Sequence, residues 1–251
     1  MLLDGKIAII TGAGPGLGAT LAGLMKEEGA EVVAAARTGR PIPGAITVAA
    51  DVTVPADMRG LAARTLARFG RIDVLVNAAF PGTHRRNVLD MSPDDLRSWR
   101  EAVDIGTYGT LVACRYIAPH MVAQGSGSIV NVTSMSSRKG YAGRSDFAVG
   151  KAGAHLLSHC LADELGPSGV RVNCVAPGWI ASDVLDDWMR TRAESEGVTF
   201  EEIRERDLRA MALRRIATEE DVARAVIFLA SDQAGAITGA TVDVNSGQLF
   251  T

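Results

Sequence analysis

Short, nearly continuous apolar runs alternate along the chain with longer stretches whose apolar positions recur every three or four residues. The runs cover 6–10, 31–36, 46–50, 72–76, 128–134, 170–176 and 240–244 and are rich in Val, Ile and Ala. Strands buried on both faces read this way, because helices cover each side of a parallel sheet. The helical pattern begins with Leu21, Leu24 and Met25, resumes over 55–69, 146–165 and 219–230, and runs from Ser92 to about Gln124 with Gly106 and Gly109 inside it. A helical glycine costs about 1 kcal/mol relative to alanine, so this pair implies close packing or room for a ligand. Strands alternating with helices predict an α/β fold: one Rossmann-type domain over 1–251, with a doubly wound parallel sheet of about seven strands and helices on both faces. Ligands of such sheets bind at the carboxyl ends of the strands. The charged stretch 179–211 has no strand pattern and is expected to form a pair of short helices as a substrate lid within that domain.

Between the first strand and the first helix lies the turn from Thr11 to Gly18, with Gly12, Gly14, Gly16 and Gly18, and Leu17 opening the helix. Glycines there let backbone N–H groups approach a pyrophosphate where the helix dipole favours negative charge. At the end of the second strand a ribose 2′-hydroxyl calls for a carboxylate and a 2′-phosphate for a base. The chain has Ala36, Arg37 and Thr38, with Arg40 close behind. NADP(H) is therefore preferred and NAD(H) is the second choice; the bland alternative leaves Arg37 as a solvated loop residue.

The formal charge of -3 and pI near 5.8 leave no basic excess for a phosphate backbone, so nucleic acid is not expected as a partner. Asp4 interrupts the opening apolar residues, and neither a leader nor a membrane span is predicted, which makes the expected location cytoplasmic. Cys114, Cys160 and Cys174 are far apart in apolar surroundings and are expected to be reduced, buried side chains. His155 and His159 share a helix face, but without a third ligand they point to packing or an oligomer contact, so no metal site is expected.

Taken over essentially its whole length, the chain resembles the short-chain dehydrogenase/reductase family. Thr11, Gly12, Gly16 and Gly18 match its Thr-Gly-x-x-x-Gly-x-Gly turn, and Asp51 and Val52 its adenine-contacting pair. Asn77, Ala78 and Ala79 are a worn Asn-Asn-Ala-Gly, with Phe80 in place of the glycine. Ser134 falls on the family's serine and Lys151 on the lysine of Tyr-x-x-x-Lys; Pro177, Gly178, Ile180 and Ser182 resemble its nicotinamide-binding segment. The resemblance places a tyrosine where this chain has Phe147 and an asparagine where it has Gly106. Both departures concern proton handling. Relatives resembling dienoyl-CoA reductases also lack the tyrosine and reduce a conjugated system.

The resemblance thus implies an atypical oxidoreductase moving a hydride between NADP(H) and a small carbonyl, alcohol, imine or conjugated substrate, with the proton coming from elsewhere. Lys151 can still hold the ribose and favour an oxyanion. Tyr141, His84 and Asp146 are the other candidate acids; their bland readings are a packed loop aromatic, a solvated histidine and a helix N-cap. The competing reading is a non-redox NADP-binding protein, either a lyase or isomerase using Ser134 and Lys151 or a partner subunit. A homo-oligomer, dimer or tetramer, is implied in either case.

Overall fold

A computed structural model of the chain describes residues 1–80, 82 and 85–250. Strand β1 (Ile7–Thr11) leads into α1 (Leu17–Glu27), followed by β2 (Glu31–Ala36), β3 (Ile46–Ala49), α2 (Pro55–Phe69) and β4 (Val74–Asn77). Then come α3 (Pro93–Val103), α4 (Gly109–Gln124), β5 (Gly127–Val132), α5 (Ser145–Leu165) and β6 (Val170–Pro177). Two helices, α6 (Asp183–Glu196) and α7 (Phe200–Arg209), precede α8 (Glu219–Ala230) and β7 (Thr241–Val244).

The seven strands form one parallel sheet in the order β3-β2-β1-β4-β5-β6-β7. Strand alternation divides its core into two layers. Ala8, Ile10, Val32, Val76 and Val130 face α1 and α8, against Leu21, Met25, Val222 and Val226. Ile9, Val33, Leu75, Ile129 and Val172 face α2, α4 and α5, against Met58, Leu61, Ile117, Met121 and Leu161. Burial of each large aliphatic side chain contributes roughly 1.5–3 kcal/mol, and the five residues of β1 are all buried. The chain reverses its winding between β1 and β4, where Thr11 lies opposite Asn77. That switch point opens a crevice at the carboxyl edge.

The predicted helix from Ser92 to Gln124 forms with a defect at its centre. Ser92 caps α3 through a reciprocal capping box with Asp95. A single π-helical turn, Asp104–Tyr108, joins α3 to α4. Both glycines here serve packing. A Cβ at Gly106 would lie 3.0 Å from the Gly150 backbone of α5, and one at Gly109 would lie 2.6 Å from Val52 Cγ2. Thr107 Oγ1 locks the junction by donating to Gly150 O at 2.9 Å.

Two expectations are corrected. Cys160 is exposed on α5, while Cys114 and Cys174 are buried, because α5 turns that face away from the sheet; all three are free. Asp146 is not the helix N-cap: Arg144 holds that position, and Asp146 sits buried in the first turn. The pair of helices expected over 179–211 is present as α6 and α7, with a small core of Met189, Ala193 and Ile203 packed by Trp179, Trp188 and Phe200. No described helix is long and apolar enough to cross a membrane.

Candidate active site

The glycine turn is built by close approach. Gly12 has φ +75°, and a Cβ there would lie 2.3 Å from the backbone of Ala79, so the β4 exit passes directly over the turn. Asn77 contributes from beneath. Its Oδ1 accepts from Thr11 Oγ1 at 3.0 Å, and its Nδ2 donates to Asn131 Oδ1 at 2.8 Å. Asn131 Nδ2 in turn donates to Ser158 Oγ at 2.7 Å. This buried chain ties β1, β4, β5 and α5 together. Ala78 and Ala79 carry the exit, where Ala78 N–H donates to Thr11 O.

Beyond β2 and β3 a cavity of about 610 Å³ is lined by Arg37, Asp51, Thr53, Arg100, Glu101, Asp104, Ile105 and Tyr108. Asp51 Oδ1 accepts from Thr53 N–H and Oγ1, at 2.8 and 2.7 Å, while Val52 is packed into the notch left by Gly109. Arg37 is exposed at the rim. Arg100, from α3, is the second arginine of this cavity; Arg40 does not line it.

On the other side of the crevice the end of β5 presents Ser134. Its extended backbone, φ -167°, ends the strand, and its Oγ accepts from Ser136 N–H at 3.1 Å, leaving the hydroxyl proton to donate. Lys151, buried on α5, donates from Nζ to Val132 O at 2.8 Å and Ala79 O at 3.2 Å. An ammonium has three N–H donors, so one remains. Burial pulls this lysine down to about 8. One helical turn earlier, the Phe147 ring is buried, edge-on to Phe80 at 5.5 Å and 4.8 Å beneath the Arg144 guanidinium. Tyr141 lies in the β5–α5 loop with its hydroxyl 3.8 Å from Met135 Sδ, and burial raises its pKa. His84 lies outside the described residues.

The third wall follows β6. Pro177 pairs with Val244, Gly178 N–H donates to Val244 O, and Trp179 N–H donates to Gln248 Oε1 at 3.1 Å. Ile180 forms a parallel bridge to Ala217, and Ser182 caps α6. These residues put the start of α6 above the same edge as Ser134.

A family model described as enoyl-(acyl carrier protein) reductase matches residues 12–248. Short-chain reductase protein NovJ of Streptomyces niveus is 33% identical, covering 97% of this chain and 94% of its own. The chain belongs to the short-chain dehydrogenase/reductase family. The 3-oxoacyl-(acyl-carrier-protein) reductase FabG of Thermotoga maritima is 30% identical over 98% of this chain and 99% of its own. Among solved structures, levodione reductase superposes with a TM-score of 0.85 at 26% identity, covering 98% of each chain. This short-chain dehydrogenase/reductase chain is accordingly an oxidoreductase-type protein by its relatives.

Besides Arg100, sequence reasoning missed a carboxylate at the glycine turn. Glu219, at the first turn of α8, accepts from Thr20 Oγ1 at 2.7 Å, and its Oε1 lies 2.9 Å from where a Gly16 Cβ would stand. A carboxylate there sits against the amino end of α1, where the helix dipole attracts anions. No local signal marks it, because Glu219 and Gly16 are brought together only by α1 packing on α8.

Proposed function

We propose that this chain is an NADP(H)-dependent oxidoreductase acting on a small carbonyl, alcohol, imine or conjugated substrate, with Lys151 supplying the proton a phenol at position 147 would otherwise deliver. The observation that carries the reading is the buried Phe147 ring, one turn before a lysine whose burial brings it to about 8. By the family resemblance, Phe147 then takes the position of the acid and Gly106 that of the asparagine.

The residues present suit a dinucleotide. The cradle at Gly12 admits no side chain, and the 610 Å³ cavity has the volume for an adenosine half. Gly14, Gly16, Leu17 and Gly18 would line the pyrophosphate, Arg37 and Arg100 the 2′-phosphate, Asp51 and Val52 the adenine. Pro177, Gly178, Ile180 and Ser182 would flank the nicotinamide, with α6 and α7 as the lid. When bound, the cofactor supplies or accepts the hydride.

The chain's own side chains do the remaining work. Ser134 Oγ donates to the substrate oxygen, and the free N–H of Lys151 serves a ribose hydroxyl or the developing oxyanion. At pH 7 most of a lysine with a pKa of about 8 is charged, so it can release a proton to the reduced product and regain it from water. A conjugated substrate suits the arrangement, because its charge delocalises and protonation at carbon needs no phenol; the enoyl reductase description of the matching family model agrees with that class.

Exposed Leu111 on α4 and Val149 and Leu156 on α5 suit pairing with another copy, as in a dimer or tetramer. The test is to titrate NADPH and NADP against the protein, then follow NADPH oxidation across ketones, imines and enones and NADP reduction across alcohols. Cofactor binding with turnover of at least one class is expected. Tight cofactor binding with none would favour the non-redox partner-subunit reading.

A further inference from the structure

Two arginines on adjacent loops lie against Trp188 of α6 and Phe147 of α5. Arg86 N–H donates to Gly143 O at 3.0 Å and stitches the loop after β4 to the loop before α5, which brings Arg85 and Arg144 to the same place. The Arg85 guanidinium lies 4.1 Å above the Trp188 ring of α6, and Trp188 meets Trp179 edge-on at 5.2 Å. The Arg144 guanidinium covers Phe147 at 4.8 Å, and its Nε is buried with no hydrogen-bond partner. Among the described residues no carboxylate comes within ion-pair distance of either. Asp146 acts on Arg144 only at longer range. Arg192, which touches the same Trp188 ring at 4.9 Å, differs: Asp207 and Glu196 neutralise it at 2.9 and 3.1 Å.

Desolvation is the main cause that lowers Arg85 to about 10, and the charges of Arg144 and Arg192 add to it. Aromatic faces hold both guanidinium planes in place and leave their N–H edges to donate. An anion between them would relieve the repulsion and satisfy the orphaned Nε. The pair is separate from the cavity at Arg37, so it is not a second contact to the cofactor's 2′-phosphate.

We propose that the substrate carries an anionic head, carboxylate or phosphate, gripped jointly by Arg85 and Arg144. The proposal rests on the reading of this crevice as a substrate site and adds the substrate's class to it.

Calorimetric titration of the protein saturated with NADP separates the possibilities without any turnover. The probes are 3-phenylpropanoate, 2-phenylethyl phosphate and the neutral 3-phenylpropanamide. At least one anion should bind about tenfold or more tightly than the amide, since charge-assisted hydrogen bonds contribute about 1.5–3 kcal/mol. The tighter anion identifies the head group. Arg85→Gln and Arg144→Gln, checked for fold by circular dichroism, should each weaken that anion about tenfold and leave the amide unchanged. Equal affinity for all three probes, no binding of any, or an undiminished anion preference in both variants overturns the proposal. Failure of the redox reading would show separately, as cofactor binding without hydride transfer in the substrate panels.

Discussion

The two sides of the crevice are built on different principles. On the β1–β4 side, function resides in backbone: Gly12 exists so that Ala79 can pass over it, and Asn77 holds strands together from below. On the β5–α5–α6 side the candidate chemistry resides in side chains, Ser134, Lys151, Phe147, Arg85 and Arg144. A backbone cradle tolerates little change because any Cβ collides with main chain, whereas a proton-handling wall can be rebuilt while the sheet stands.

The strongest challenge to the backbone side is Gly12→Ala. A methyl 2.3 Å from Ala79 with φ +75° forces the β4 exit away, and a loss of about 3 kcal/mol or more is expected, with cofactor binding abolished. Thermal unfolding and NADPH titration would read both. Unchanged cofactor affinity would mean that the turn is not the cradle.

Next in size is Lys151→Met on the side-chain side, which should lower kcat by roughly 10²–10⁴ while the fold remains. The parent's rate should fall as pH rises through about 8, because the ammonium is the proton-bearing form and burial brings its pKa there. A rate flat from pH 6 to pH 10 would remove Lys151 as the acid.

A gain of function comes third. Phe147→Tyr should raise reduction of simple ketones by about 10²-fold, the lower end of general acid catalysis. Adding Gly106→Asn should not help, since its side chain meets the Gly150 backbone at 3.0 Å and costs about 1–3 kcal/mol by overpacking. Melting temperatures of the single and double variants check the second half of this expectation.

The smallest effect is expected at Glu219. Its carboxylate sits where a pyrophosphate would approach the amino end of α1, so Glu219→Gln should tighten NADP(H) binding about two- to fivefold, corresponding to about 0.5–1 kcal/mol. Weaker binding would show instead that Glu219 supports the turn through Thr20.

The chain alone determined the seven strands, the helix starting with Pro55, the glycine turn, and the positions of Ser134, Phe147 and Lys151. These are legible because a strand buried on both faces must be apolar throughout, and because a turn under a phosphate needs glycine at fixed offsets. Only the tertiary structure decided the rest. Gly106, inside the π turn, and Gly109, just after it, became packing notches once α5 and Val52 pressed against that helix. Cys160 turned outward, Arg100 rather than Arg40 joined Arg37, Glu219 reached Gly16, and Arg85 and Arg144 came to lie over Trp188 and Phe147. Each of these depends on groups from separate elements meeting in space, and hydrophobic period and local turn chemistry carry no record of which side chains will meet.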